Sequence, residues 1–242
     1  MRADLYAQIH QIELDHWWYV GRRRIVFDWL RPDDRRRRVL DIGCGTGFNI
    51  EQLRARGFEK VVGLDVSNDA IAYARSRGLR ALVRGDGARL PFADAAFDLV
   101  LALDLIEHLE DDGEALRDMA RVLAPGGRLL VFTPAYRFLW SLQDDVSHHF
   151  RRYTSRELRS KLSDAGFTVA KMTYANTFLF PVILAGRTVL RVIGRRQRVS
   201  ENDLHPSWSN GLLAAIFVAE APLLRRMNFP FGVSLLSVAV RL

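Results

Sequence analysis

The stretch Val39-Leu40-Asp41-Ile42-Gly43-Cys44-Gly45-Thr46-Gly47 decides how this chain is read. An apolar run ends near an acid and breaks into three glycines at alternate positions, the pattern of a strand, a tight loop and the first turn of a helix. Glycine accepts a positive φ and lets bare amides approach a ligand, and the N-terminus of the following helix adds partial positive charge. The loop therefore reads as a cofactor cradle. A triphosphate-binding loop ends in Gly-Lys-Ser/Thr, whereas this one continues Gly47-Phe48-Asn49, which argues against that class. The dinucleotide fingerprint spaces its glycines G-x-G-x-x-G, one residue away from the G-x-G-x-G found here, so a nicotinamide cofactor stays open at this point.

Further acids recur at strand ends downstream. Val61-Val62-Gly63-Leu64 ends at Asp65, about 18 residues beyond Gly47, where an acid can accept from both ribose hydroxyls. Gly85-Asp86-Gly87 places another acid at a strand end, the apolar run Phe97 to Leu103 ends at Asp104, and Leu123-Ala124-Pro125-Gly126-Gly127 turns into a fifth strand, Arg128 to Thr133. Through these five successive elements, from about Val39 to Thr133, the chain resembles the class I S-adenosylmethionine-dependent methyltransferases. The resemblance implies an α/β fold: a doubly wound, mostly parallel seven-stranded sheet, Rossmann-like, with S-adenosylmethionine as cofactor. It also implies that Gly43, Gly45 and Gly47 approach the methionine part, with Asp41 and Cys44 in the same loop. Asp65 would hold the ribose hydroxyls with Val66 beside it, Asp86 would accept from the adenine amino group, and the Gly87 amide would face the ring. Asp104 would face the cofactor's amino group or the acceptor.

The 242 residues, about half of them apolar, suffice for one sizeable core, so a single domain spanning 1–242 is expected. It divides into an N-terminal helical cap (1–38), a cofactor-binding core (39–173), a helical insertion (174–231) and a last strand (232–242). The single cysteine, Cys44, allows neither an intramolecular disulfide nor a cysteine metal cluster, and no metal site is assigned. The N-terminus has no apolar core of the kind a secretory signal needs, which points to the cytoplasm.

Leu5, Ile9 and Ile12 recur at helical spacing, as do Ile25, Val26, Trp29 and Leu30, so two short helices are expected before the first strand. Between them lies the cluster His16-Trp17-Trp18-Tyr19-Val20-Gly21-Arg22-Arg23-Arg24, which either closes over a bound cofactor or packs the extension on the body. The run Arg35 to Arg38 reads as a solvated connector. After the fifth strand, Tyr136 opens an aromatic and charged loop ending His148-His149-Phe150-Arg151-Arg152-Tyr153. Ligands bind outside the carboxyl ends of the strands in such folds, so this loop should overhang the transferred methyl group. Tyr19, Tyr136, Arg152 and Tyr153 are the expected acceptor contacts. If the acceptor is a hydroxyl, a histidine suits removal of its proton: His149 first, His108 second.

A helix from Ser155 to Ala165 and a sixth strand, Gly166 to Thr173, should follow. In the resembling family the last two strands form a plain hairpin, whereas roughly 55 residues separate them here. Phe178 to Ile193 reads as an apolar helix with Arg187, Arg191 and Arg195 four apart on one face, and Gly211 to Leu224 as a second apolar run. Lys plus Arg exceed Asp plus Glu by 35 − 28 = 7, concentrated between Arg151 and Arg198. Neither run reaches the roughly 20 residues of a membrane span. The insertion is expected either to lie on an anionic membrane surface, peripheral at the inner face, or to form a lid on the sheet. The function expected is methyl transfer to an oxygen or nitrogen of a small-molecule or lipid-linked acceptor, with a nicotinamide oxidoreductase as the alternative. Nucleic acid is disfavoured as a partner. Methyltransferases that modify base amino groups carry Asn/Asp-Pro-Pro-aromatic after strand four, where this chain has Asp104-Leu105-Ile106-Glu107.

Overall fold

The computed structural model describes residues 3–192 and 207–242. Seven strands are present among them: β1 (Arg38–Ile42), β2 (Lys60–Asp65), β3 (Leu82–Arg84), β4 (Phe97–Leu103), β5 (Leu123–Pro134), β6 (Phe167–Ala175) and β7 (Ser234–Arg241). They form one sheet in the order β3-β2-β1-β4-β5-β7-β6, parallel except for β7, which runs antiparallel to both neighbours. This is the doubly wound, mostly parallel architecture expected. Leu40 of β1 sits between Val62 of β2 and Val100 of β4, and the strand order reverses at that point. Such a reversal opens a crevice at the carboxyl ends of the strands.

Helices cover both faces, which is why the central strands are near-continuous apolar runs. Leu40, Ile42, Leu99, Val100, Leu101, Leu130, Val131 and Phe132 are all fully buried. The helix α5 (Asp112–Val122) illustrates the local logic. Asp111 caps it, accepting from the Glu114 amide at 2.8 Å, and Ala115, Leu116, Met119 and Val122 recur on the face turned to the sheet. At the opposite end of the sheet from the crevice, the Arg128 guanidinium pairs with fully buried Asp34, and Arg38 pairs with Asp98 at 2.8 Å. In the expected connector, Arg35 and Arg36 are exposed.

Two helices precede the sheet, α1 (Ala3–Ile12) and α2 (Trp17–Phe27). The second departs from expectation. The aromatic cluster does not lie between the helices but forms the first turns of α2, with His16 as its cap, accepting from the Trp18 amide. The reason is tertiary: Trp17 and Gly21 meet Phe217, from α9 (Ser207–Val218) in the insertion near the far end of the chain. A Cβ on Gly21 would stand 2.1 Å from the Phe217 ring, so only glycine lets the two helices approach this closely. Asn210 completes the clasp, accepting from the Trp17 amide and donating to the Asp15 carbonyl, each at 2.7 Å.

The second apolar run therefore packs on the cap, and it breaks at Glu220 before α10 (Ala221–Leu224). The other helix of the insertion is α8 (Phe180–Val192). Its Arg187 donates to the Leu139 carbonyl instead of standing in a solvent-facing arginine stripe; the Arg191 side chain and Arg195 lie outside the described residues. No helix of the described residues is long and apolar enough to cross a membrane. β6 runs to Ala175, two residues past its expected end, because Tyr174 and Ala175 still pair with Leu235 and Ser234; β7 starts at Ser234, two residues later than expected.

Candidate active site

A cavity of about 700 Å³ opens over the tips of β1, β2 and β4. Gly43, Gly45 and Gly47 take φ values of 69°, 54° and 78°, the left-handed region that the alternating glycines anticipated. They serve different ends. A Cβ on Gly47 would lie 2.6 Å from Leu79 Cδ1, so this glycine lets α3 (Phe48–Ala55) dock on α4 (Asn68–Ser76). A Cβ on Gly45 would meet nothing within 4 Å; it faces the cavity. The Gly45 amide donates to Asp65 Oδ2 and the Ser67 amide to Asp65 Oδ1, both at 2.9 Å, which fixes this carboxylate at the tip of β2. Val66, Asp86, Gly87, Cys44 and Asp104 also line the cavity.

Two expected cofactor contacts stand behind the lining. Gly47 is one, and Asp41 is the other: it is fully buried beneath the loop, and burial pushes its carboxyl up to about 7. Burial likewise raises the Cys44 thiol, consistent with a small packing residue.

The cap reaches each of three strand tips. Glu13, just after α1, accepts from Thr46 Oγ1 in the glycine loop and from Arg77 at 2.6 Å; Arg77 in turn donates to the Thr46 carbonyl at 3.1 Å. The Tyr6 hydroxyl stands 3.4 Å from Asp65 at the tip of β2. The Arg22 guanidinium pairs with Asp104, which follows β4 with φ of 51°. Burial raises the Asp104 carboxyl, against the opposing pull of Arg22. Trp18 and Tyr19 line the cavity, and Trp17 is buried against Phe217, packing the extension on the body.

The remaining wall comes from the loop after β5 and from α8. Within that loop, α6 (Leu142–Val146) carries Asp144, fully buried, which accepts from His149 Nδ1 at 2.8 Å and from Arg152 at 2.7 and 2.9 Å. Burial alone would raise this carboxyl, but those hydrogen bonds outweigh it and hold it well below the usual carboxylate range. His108 lies beside His149, the rings edge to face with centroids 4.6 Å apart, and burial lowers its pKa to about 3. Asn176, fully buried at the end of β6, also lines the cavity, and neither atom of its amide has a partner among the described residues. Val182, Ile183, Gly186 and Leu190 of α8 close the far side with apolar surface.

A methyltransferase-domain family model matches residues 40–131. The chain is 31% identical to a protein of Encephalitozoon cuniculi named as a methyltransferase, the match covering 60% of this chain and 77% of that one. The chain belongs to the class I S-adenosylmethionine-dependent methyltransferases. It is 35% identical to a Mycobacterium tuberculosis protein named as an S-adenosylmethionine-dependent methyltransferase, over 68% of this chain and 60% of the relative's length. The fold agrees. A solved structure of the Haloferax volcanii Trm112 methyltransferase activator with its methyltransferase aligns over 98% of this chain and 94% of that one, with TM-score 0.66 at 22% identity.

S-adenosylmethionine is the cofactor of this methyltransferase family, and the nicotinamide alternative falls with the membership. The site suits that cationic nucleoside: the Gly45 cradle is open where a side chain would fill it, and Asp65, Asp86 and Asp104 border the cavity at three strand tips. Two expected acceptor contacts are corrected. Tyr153 is buried away from the cavity, its hydroxyl donating to Asp112 at 2.7 Å, and Tyr136 stacks on Tyr174 at 4.9 Å outside the lining. Both are held there because the loop zips onto the end of β5, the Tyr136 and Tyr153 backbones pairing with each other and with Pro134. Arg152 does line the cavity, but its donors are committed to Asp144 and the Ala135 carbonyl. Sequence reasoning missed Tyr6, Glu13, Arg22, Asn176 and Glu107. Tyr6 and Glu13 share the helical stripe of Ile9, and a charged residue on an apolar stripe was the available signal.

Proposed function

We infer that the protein transfers a methyl group from S-adenosylmethionine to an oxygen or nitrogen of a small, largely apolar acceptor, lipid-linked acceptors included. One observation carries this reading: a single cavity joins the glycine loop to the His108 and His149 rings and to the apolar face of α8. S-adenosylmethionine, when bound, supplies a methyl group that is already activated. The protein's remaining work is to hold a nucleophile in line, about 3 to 3.5 Å away, with water excluded. The cap, latched to three strand tips, covers the nucleoside end, while α8 covers the other. Asn176 offers a buried donor and acceptor to the polar group of an otherwise apolar acceptor, since its amide has no partner among the described residues. With Nδ1 on Asp144, His149 keeps Nε2 as an electron-pair donor toward a proton or a cation at the acceptor end.

The test is to incubate the full chain with methyl-labelled S-adenosylmethionine and separate organic and aqueous cell extracts. Label entering an organic-phase product supports the reading; label confined to aqueous products overturns the apolar acceptor. No calorimetric binding of S-adenosylmethionine or its demethylated product would overturn the whole.

A further inference from the structure

The turn after β4 carries a group that acceptor positioning does not use. Glu107 is fully buried; its Oε2 accepts from Thr133 Oγ1 at 2.9 Å, and its Oε1 has no partner among the described residues. A carboxylate oxygen out of water and unpaired is costly unless a proton or a cation covers it. His108 and His149 stand beside it, and one ligand atom from each of the three lies within 4.8 Å of the others. An ion with bonds near 2.1 Å keeps its ligands about 3 to 4 Å apart, so side-chain movements of roughly 1 Å close the set.

The His149 ring is oriented as an electron-pair donor. Asp144 engages His149 Nδ1 and leaves Nε2, the carboxylate–histidine arrangement that supports metal ligands.

We propose that Glu107, His108 and His149 form a divalent metal centre at the acceptor end of the cavity. Two imidazoles and one carboxylate suit Zn²⁺, Fe²⁺ or Co²⁺ better than Mg²⁺ or Ca²⁺, and three protein ligands leave positions open. An acceptor hydroxyl oxygen takes an open position, and its proton passes to water at a lower pH than that of a free hydroxyl. His149 Nε2 then serves the ion, and the ion acidifies the acceptor. This role rests on the methyl-transfer reading; the binding of the ion does not.

The experiment strips the full chain with a chelator, desalts it, and titrates it with Co²⁺ and Zn²⁺ by calorimetry, following the visible d–d absorption of Co²⁺. One equivalent should bind. Glu107→Gln and His108→Gln should each weaken it by at least about 10-fold while far-ultraviolet dichroism stays unchanged. S-adenosylmethionine is titrated in parallel with chelator present. Stripped protein that binds S-adenosylmethionine but takes up neither metal overturns the metal centre and leaves the methyltransferase reading standing. So does metal binding that both folded variants retain at full affinity, since the ion then sits elsewhere. Metal uptake without S-adenosylmethionine binding does the reverse.

Discussion

Replacing Gly45 and Gly47 separately by alanine should split cofactor binding from stability, although both glycines have the same backbone conformation. Each substitution forces an L residue into the left-handed region, at about 1 to 2 kcal/mol. At Gly45 nothing lies within 4 Å of the new methyl, so that strain is the whole folding cost. At Gly47 the methyl meets Leu79 at 2.6 Å and Ala74 Cβ at 2.8 Å, and overpacking adds about 1 to 3 kcal/mol. A chain of this size loses about 2 to 4 °C in Tm per kcal/mol, so Gly45→Ala should melt about 2 to 8 °C lower and Gly47→Ala about 4 to 20 °C lower. Binding should follow the opposite order. The Gly45 methyl enters the cavity and should weaken the demethylated cofactor product at least about 10-fold, or about 1.4 kcal/mol, whereas Gly47→Ala below its melting point should bind nearly as the parent does. Calorimetric titration and scanning calorimetry on the two variants measure both quantities. Parental affinity in a folded Gly45→Ala protein would refute the assignment of this loop as the cradle.

Arg22→Met should leave Asp104 unpaired and unlatch α2 from the tip of β4, lowering cofactor affinity in a calorimetric titration, with only partial recovery in Arg22→Lys. Burial pushes the Glu220 carboxyl up to about 7 from its ordinary 4.5, against hydrogen bonds from the Phe178, Thr177 and Asn176 backbone. A folded pKa above the unfolded one gives a contribution fully present below about pH 4.5 and lost as pH rises through 7, on the order of 3 kcal/mol. Melting temperature should therefore fall between about pH 4.5 and pH 7.5, and Glu220→Gln should flatten that fall, Asp41 leaving a residual slope of the same sign. Gly21→Ala should destabilise the parent by about 1 to 3 kcal/mol and cost less in a Phe217→Ala background, where only the position-217 Cβ at 2.9 Å still meets the new methyl, a coupling that denaturant titration of the double-mutant cycle reads directly.

The sheet and the cofactor loop were legible because their signals are local. A strand-end acid, a glycine at a positive φ and an apolar run buried on both faces follow from backbone sterics and short-range periodicity, so Gly43, Gly45, Gly47, Asp65, Asp86 and Asp104 could be placed at strand tips from spacing alone. The acceptor end was not legible. Whether Tyr153 faces a ligand or Asp112, and whether Arg152 is free or bound to Asp144, depends on carboxylates 41 and 8 positions away. The same holds for the packing of the cap: Trp17 and Gly21 of α2 meet Phe217, and the second apolar run packs there in turn. Amphipathic pattern states which face of a helix avoids water but not what it meets, so a membrane and a neighbouring helix write the same sequence. Only closure of the chain, which brings Glu107 beside His149 and Glu13 beside Thr46, decided which buried charges would face one another.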